Sequence, residues 1–175
     1  MILMRYFNKI FFIFIILFFI IGTKSYTEEV SKVKIEGNKR ISAETIVVFG
    51  DIQIGKDYQK EDINNLIKKL YETTFFSNIS VNLNNGLLNI LVEENPIIKS
   101  LIFNGEKAEK YKEAISEKLT LREKTSYLEN YIKQDINIIK EFYRTLGYYF
   151  VKIDAEIQKL DQNQVNLIYN LDKGE

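Results

Sequence analysis

The only proline of the chain, Pro96, lies between two apolar segments and limits how they can be joined. Proline fixes its own φ angle, has no N–H to donate to a β-ladder, and favours an extended conformation at the preceding residue, Asn95. We therefore predict that one strand ends near Glu94 and that another begins near Ile97. Because so little chain separates them, Asn95, Pro96 and Ile97 are predicted to form a stiff joint between two modules.

The composition of the chain argues against several classes of function. Its 175 residues include 24 Lys and Arg and 24 Asp and Glu, so no basic charge favours nucleic acid. Cysteine and histidine are both absent, which removes thiol nucleophiles, disulfides, and the commonest general base and metal ligand. We predict a protein that is not an enzyme and that binds no cofactor, no metal, no small-molecule ligand and no nucleic acid.

The N-terminal residues follow the order of a secretory signal peptide. Two cations, Arg5 and Lys9, precede the apolar run Ile10–Ile21, and Gly22 and the small residues Thr23 and Ser25 follow it. An uncleaved membrane anchor is the alternative. The apolar run would span about 18 Å as a helix, whereas the hydrocarbon core of a bilayer is about 30 Å thick. We favour a signal peptide over residues 1–25, and therefore an exported mature chain.

Hydrophobic periodicity after this segment predicts the order strand, helix, helix, strand, strand. The predicted elements are a strand at Ser31–Glu36, helices at Ala43–Phe49 and from Gln59 to Tyr71, and strands at Asn78–Leu83 and Leu87–Val92. Alternating apolar residues indicate the strands, and apolar residues three and four apart indicate the longer helix. Ser42 is a suitable N-cap, Gly50 a suitable end for the first helix, and Asn84-Asn85-Gly86 is typical of a hairpin turn.

The same order recurs after the proline, which indicates an internal duplication. The predicted elements are a strand at Ile97–Phe103, a helix carrying Ala108, Tyr111, Ile115 and Leu119, a helix from Leu128 to Leu146, and strands at Phe150–Ile157 and Val165–Leu171. Ser126 and Glu129 have the spacing of a capping box for the longer helix. Gly147 suits the left-handed position after that helix.

The fold class predicted from this order is α+β, in two tandem modules at residues 28–95 and 96–174. Each module should form a three-stranded mixed sheet with two helices on one face. We place the last strand of each copy in the centre, because Leu87–Val92 is apolar on both faces whereas Asn78–Leu83 alternates with polar residues. The middle strand of each copy is then an open sheet edge.

Short motifs in a constant order across both copies resemble a known family. The motifs are Val33–Asn38, Gly55, Leu70–Phe76 and Ile79-Ser80-Val81 in the first copy, Val92–Ile98 and Ile102-Phe103 around the joint, and Phe142–Tyr148 and Leu171–Glu175 in the second copy. They resemble tandem polypeptide-transport-associated (POTRA) domains, the periplasmic modules of the Omp85 superfamily. Thr73-Thr74 departs from the glycine usual in the family, Asn104-Gly105 reverses the usual order, and the membrane barrel of the family is absent from this chain.

The resemblance implies a function in assembling outer-membrane proteins. Such a region lies at the periplasmic face of the outer membrane and binds unfolded outer-membrane β-barrel precursors by β-augmentation, in which a client strand pairs with a sheet edge. Accessory lipoproteins of the assembly machinery and periplasmic chaperones are the other implied partners. The alternatives are the POTRA region of a two-partner-secretion or other Omp85 transporter, and a cell-division scaffold of the FtsQ type.

The candidate site residues follow from the predicted open edges. The client-strand edge is assigned to Asn78, Ile79, Ser80, Val81, Asn82 and Leu83, and a weaker second edge to Phe150, Val151, Lys152, Ile153 and Asp154. The second edge ranks lower because Lys152, Asp154 and Glu156 are charges that discourage pairing. The alternative for both edges is an ordinary solvated strand.

Two further groups of residues are not assigned to a functional site. Aromatic residues at the two corners between helix and strand are interpreted as core rather than as a client groove; they are Phe75, Phe76, Tyr148, Tyr149 and Phe150. Glu93 and Glu94 are adjacent on a strand, so their side chains should point to opposite faces and cannot act on one substrate.

Overall fold

The computed structural model of the protein describes residues 27–174, so the predicted signal peptide lies outside the described residues. In chain order the elements are β1 Glu28–Glu29, β2 Lys32–Glu36, α1 Ala43–Gly50, β3 Asp57–Tyr58, α2 Lys60–Glu72, β4 Phe76–Asn84, β5 Leu87–Glu94, β6 Ile97–Asn104, α3 Glu109–Ser116, a 3-10 turn at Glu129–Tyr131, α4 Ile132–Thr145, β7 Lys152–Leu160 and β8 Gln164–Asp172. We call β1 to β5 the N-terminal module and β6 to β8 the C-terminal module.

Two three-stranded sheets carry the fold, with strand orders β2-β5-β4 and β6-β8-β7. In each sheet the last strand is central; it pairs in parallel with the first strand and antiparallel with the middle one. This strand order and the α+β class agree with the sequence-based predictions. The additional pair β1–β3 was not predicted, because two residues are too short to show an alternating pattern.

Each sheet has its own hydrophobic core beneath its helices. In the N-terminal module the core includes Leu66 and Leu70 of α2 and Leu88 and Ile90 of β5. In the C-terminal module the core is formed by α3, α4 and the inner face of β8; its fully buried members include Ile115, Ile139, Tyr143, Leu167 and Tyr169. The opposite sheet face is open, as the 54% exposed Leu91 on β5 shows. The helices therefore cover one face of each sheet, as predicted.

The turns of the N-terminal module follow their sequence signals with one exception. The Ser42 hydroxyl accepts a hydrogen bond from the N–H of Thr45 at 3.2 Å, as expected of an N-cap. Asn85 and Gly86 have φ angles of 51° and 73°, which suit the tight β4–β5 hairpin. The exception is the residue after α1. The helix ends at Gly50, as predicted, but the left-handed position is taken by Asp51, with φ 51°, and not by the glycine.

Two predictions in the C-terminal module were also wrong. Ser126 does not cap α4, because it forms a β-bridge with Ile97 and the chain then enters the 3-10 turn. Phe150 and Val151 were assigned to an edge strand, but β7 begins at Lys152. The first residue of β7 pairs with Asp172, the last residue of β8, so β8 offers no partner to Phe150 and Val151.

One glycine in each module lets the turn after the first strand cross the central strand. A Cβ atom at Gly37 would lie 2.0 Å from the carbonyl oxygen of Val92, and one at Gly105 would lie 2.1 Å from that of Leu171. Both glycines have φ angles near 85°, which other residues rarely adopt. The two modules therefore repeat the same close backbone contact, and Val92 corresponds to Leu171.

Candidate functional site

All six residues predicted to form the first client edge lie in β4. This strand pairs with β5 on one side and stands at the edge of its sheet. The side chains of Asn78, Ser80 and Asn82 are exposed and carry no charge. Those of Ile79, Val81 and Leu83 face the helices. The edge is thus where the sequence predicts it, and its role in binding a client stays a prediction.

A tyrosine from α2 covers part of this edge. The hydroxyl of Tyr71 accepts a hydrogen bond from the backbone N–H of Ile79 at 3.1 Å, so this N–H points away from β5. Backbone polar groups of alternate residues in a strand point to the same side. Val81 and Leu83 therefore direct their N–H groups outward as well, beyond the reach of Tyr71. No local pattern in the sequence indicates this contact, since it joins the exposed end of a helix to the next strand.

The second predicted edge, β7, is open over its whole length. It pairs with β8 on one side, and within residues 27–174 no hydrogen bond from outside the sheet reaches its backbone. The charged side chains of Lys152, Asp154 and Glu156 are exposed on the sheet face away from the helices. Ala155 and Ile157 lie on the helix side, where Ile157 remains 41% exposed.

The other edge of the C-terminal sheet, β6, is covered by the segment 122–126. The N–H of Ile98 donates to Thr125 at 2.9 Å, and the N–H of Lys124 donates to the Ile98 carbonyl at 2.7 Å. The N–H of Leu101 donates to the Glu123 carboxylate at 3.1 Å. Of the two edges of this sheet, β7 is therefore the one left without such a cover.

Hydrogen bonds on both sides hold the predicted joint. The N–H of Asn95 donates to the carbonyl of Phe75 at 2.8 Å, and its amide group donates to that of Thr74 at 2.9 Å. On the side of the C-terminal module, the N–H of Tyr127 donates to the Pro96 carbonyl at 2.7 Å. The Asn163 amide donates to the carbonyl of Glu94 at 2.9 Å, which links the modules directly.

Glu94 is a buried carboxylate that the sequence analysis did not recognise as structural. Its Oε1 atom accepts hydrogen bonds from three consecutive N–H groups, those of residues 39, 40 and 41, at 2.8–2.9 Å. Burial alone would raise the pKa of Glu94, but these N–H groups and the nearby Arg40 together lower it. Its neighbour Glu93 is exposed, so the prediction that the two side chains point to opposite faces is confirmed.

A second buried carboxylate, Glu106, lies at the matching end of the C-terminal module. It accepts hydrogen bonds from the ammonium group of Lys173 at 2.8 Å, from the N–H of Ala108 at 2.8 Å and from the hydroxyl of Tyr143. Burial opposes its charged form, yet these donors outweigh burial and lower the pKa of Glu106 to about 2. Burial and the adjacent carboxylate raise the pKa of the Tyr143 phenol.

Asp135 on α4 is fully buried and holds the loop before the 3-10 turn. Its carboxylate accepts hydrogen bonds from the N–H groups of Thr120 and Leu121 at 2.8 and 3.0 Å, and from the Tyr169 hydroxyl at 3.2 Å. The three buried carboxylates are structural and do not converge on one site. One signal was present in the sequence, because Asp135 interrupts the apolar stripe of its helix.

The corner aromatics divide between core and surface. Phe76 is buried and Phe75 is partly buried, which confirms the interpretation as core for the first corner. The interpretation was wrong for the second corner, where Tyr149 and Phe150 are 68% and 81% exposed. The chain there leaves α4 through Gly147, with φ 92°, and Tyr149 and Phe150 lie in a turn before β7 begins.

The described part of the chain shows no sign of a metal site or a membrane span. Among residues 27–174, no three acidic side chains converge in a way that could hold a metal ion. In the same range, no helix combines the length and the apolar character needed to cross a bilayer.

Comparison with known proteins identifies the C-terminal module. The family described as "POTRA: Surface antigen variable number repeat" matches residues 96–174. These residues belong to the POTRA family. A solved structure titled POTRA1-2 of the periplasmic domain of Omp85 from Anabaena shares the fold over 87% of this chain and 99% of that one, with a TM-score of 0.50 and 15% identity. The N-terminal module therefore also has the POTRA fold.

Other known proteins are also similar to this chain. The N-terminal domain of Omp85 from Thermosynechococcus elongatus covers 82% of this chain with 63% of its own, at a TM-score of 0.56 and 15% identity. Among curated proteins, the outer membrane protein assembly factors BamA of Neorickettsia risticii and Neisseria meningitidis serogroup B are 26% and 27% identical over 81% and 83% of this chain. The chain spans 19% and 18% of the length of these two relatives.

Proposed function

We propose that this chain is the periplasmic POTRA region of a BamA-like assembly factor, which holds unfolded outer-membrane β-barrel precursors for insertion into the outer membrane. The similarity to two curated assembly factors supports this role over that of a secretion transporter or a cell-division scaffold. Export to the periplasm, accessory lipoproteins and periplasmic chaperones are parts of the same proposal. It assigns the chain a binding role and not a catalytic one.

The observation that carries the proposal is the open middle strand in each of the two POTRA-fold modules. β4 and β7 are both nine residues long, and each pairs with a neighbour on one side only. An extended client segment can add to such an edge through backbone hydrogen bonds, which depend little on the client sequence. That property suits a factor that binds many different precursors.

Crosslinking to a peptide taken from a strand of an outer-membrane barrel tests the proposal. A photoreactive group on the peptide should label β4, β7 or both in the folded chain. Replacing Val81 by proline removes an outward N–H and leaves the ladder with β5 intact, so Val81→Pro should lose most labelling on β4 and keep its fold by circular dichroism. Replacing Ser80 by proline is the matched control, because its N–H faces β5 and its loss should destabilise the sheet.

Labelling that avoids both strands in the wild-type chain would overturn the proposal. Undiminished labelling of β4 in a folded Val81→Pro variant would remove that strand as the edge used, and would leave β7 as the remaining candidate.

A further inference from the structure

One side chain from outside the sheet already pairs with the open edge of β4. The hydroxyl oxygen of Tyr71, in the last turn of α2, accepts a hydrogen bond from the N–H of Ile79 at 3.1 Å. In an edge strand, such an outward N–H is one of the groups to which an added strand would bind. A client carbonyl and the Tyr71 hydroxyl therefore compete for the same donor.

The position of this donor divides β4 into two parts. The N–H groups of Ile79, Val81 and Leu83 all point outward, because backbone groups of alternate residues in a strand share a side. Ile79 lies in the half of β4 nearest the joint, whereas Val81 and Leu83 lie toward the hairpin turn. An added strand runs within about 5 Å of its neighbour, which leaves no room for a phenol between the two backbones. The covered part of the edge is thus residues 76–79, and the free part is residues 80–84.

The C-terminal module lacks this contact. A residue with positive φ follows the second helix of each module, Thr74 at 61° and Gly147 at 92°. Counting back three residues from each of them aligns Tyr71 with Arg144. Arg144 instead pairs with Glu141 of its own helix at 2.8 Å, and residues 27–174 contain no comparable hydrogen bond to the backbone of β7. Partial cover of the edge by a helix side chain is therefore a property of the N-terminal module.

The contact is weak enough for a client to displace it. Tyr71 is 42% exposed, and the net contribution of one such hydrogen bond changes an equilibrium by only about fivefold. Tyr71 also lines a cleft of about 910 Å³ at the joint, together with Phe76 and Ser77, so its ring has space to move away from β4. The tyrosine therefore biases the position of a client and does not close the edge completely.

We propose that Tyr71 is a positioning residue that determines where a client strand pairs with β4. While its hydroxyl binds the N–H of Ile79, a client pairs with residues 80–84 and leaves the half of the strand nearest the joint free. This inference rests on the proposed function and adds to it a residue that sets the register of the client. The client is an extended segment of an outer-membrane barrel precursor, bound through its backbone.

Amide hydrogen exchange of the purified chain tests the contact itself. Tyr71→Phe keeps the ring and removes the hydroxyl, so the amide of Ile79 should exchange about fivefold faster than in the wild type. The amide of Ser80 is the internal reference, because it faces β5 and should keep its protection. Thermal unfolding of the variant shows whether the fold is kept.

Labelling by the photoreactive barrel peptide tests the consequence for binding. In the wild-type chain, the labelled positions on β4 should fall within residues 80–84. In Tyr71→Phe they should extend to residues 77–79, and half-maximal labelling of β4 should need about fivefold less peptide, because the client gains the freed donor. Tyr149→Phe is the matched control, since this exposed tyrosine lies in the other module, and it should change neither result. A tyrosine that served only the fold would lower the stability when replaced and would not raise the affinity.

The outcomes separate this inference from the proposed function. Unchanged exchange at Ile79, or wild-type labelling that already covers residues 77–79, would overturn the inference and leave the proposed function standing. Weaker binding by Tyr71→Phe would do the same, because it would mean that the hydroxyl helps to hold the client. Labelling confined to β7 in both chains would also overturn the inference alone, whereas labelling of neither strand would overturn both proposals.

Discussion

At the residue scale, buried carboxylates hold loops against the sheets in places where the sequence shows only scattered acids. Glu94 binds the turn after β2, Glu106 binds the start of α3, and Asp135 binds the loop after Thr120. A carboxylate that accepts several backbone N–H groups is strongly stabilised in its charged form. Removing such an oxygen leaves buried N–H donors without partners, and this loss lowers the free energy of unfolding.

Glu94→Gln should destabilise the N-terminal module by about 2–3 kcal/mol, because the neutral amide accepts the three N–H hydrogen bonds less well. Hydrogen exchange of the core amides in β5 measures this loss. Glu93→Gln is the matched control on the adjacent, exposed position, and it should change the free energy of unfolding by less than about 0.5 kcal/mol. Equal effects of the two substitutions would contradict a structural role for Glu94.

The low pKa of Glu106 predicts acid sensitivity of the C-terminal module. Its pKa is about 2 in the folded chain against an ordinary value of 4.5, so its contribution is complete above about pH 4.5 and is lost as the pH falls toward 2. The shift corresponds to about 3 kcal/mol at most. Urea denaturation should show a difference between wild type and Glu106→Gln that is large at pH 7 and shrinks below pH 4.5. A constant difference would show that the charge does not matter.

At the element scale, the strongest steric constraint is the close contact between the turn after the first strand of each module and the backbone of its central strand. Gly105→Ala places a Cβ atom against the Leu171 carbonyl at a left-handed backbone, so it should destabilise the C-terminal module by more than about 2 kcal/mol. Gly147→Ala is the matched control, because its backbone has the same handedness but open space around it. It should cost about 1 kcal/mol in urea denaturation. Similar losses in the free energy of unfolding for the two variants would mean that backbone strain, and not the contact with the Leu171 carbonyl, accounts for the effect at Gly105.

The elements themselves could be predicted because their signals are local. Alternation in the strands, the stripe on α2 and the Asn85-Gly86 turn each lie within a few neighbouring residues, and the two-sided apolar pattern of Leu87–Val92 placed β5 in the centre. The contacts of Glu94 with residue 40 and of Tyr71 with Ile79 could not be predicted in the same way. These contacts depend on which backbone segment lies near each side chain in the folded module, and the periodicity of the sequence does not indicate that.

At the scale of the whole molecule, the joint decides how the two open edges are presented. Pro96 restricts one φ angle, whereas Asn95 makes two hydrogen bonds to the corner after α2 and Asn163 makes one to Glu94. The relative orientation of the modules therefore depends on these contacts as well as on the proline.

Asn163→Ala removes the amide hydrogen bond to the Glu94 carbonyl, so it should broaden the distribution of distances between the modules more than Pro96→Gly does. Spin labels at cysteines introduced for Glu61 and Lys140, both exposed, report that distance, and the absence of native cysteine makes the labelling specific. Electron paramagnetic resonance provides the measurement, and the doubly labelled wild type is the reference. A greater broadening in Pro96→Gly would show that proline stiffness, not hydrogen bonding, fixes the joint.

The two modules carry opposite charges at matching strand ends. Because Val92 corresponds to Leu171, the position of Glu94 in one module is that of Lys173 in the other. A hybrid in which residues 87–94 and 166–173 were exchanged would set the ammonium group of Lys173 against the three N–H groups that Glu94 binds. The two modules share a fold, but their central strands cannot be exchanged, because the charge at this position matches the neighbouring groups of its own module.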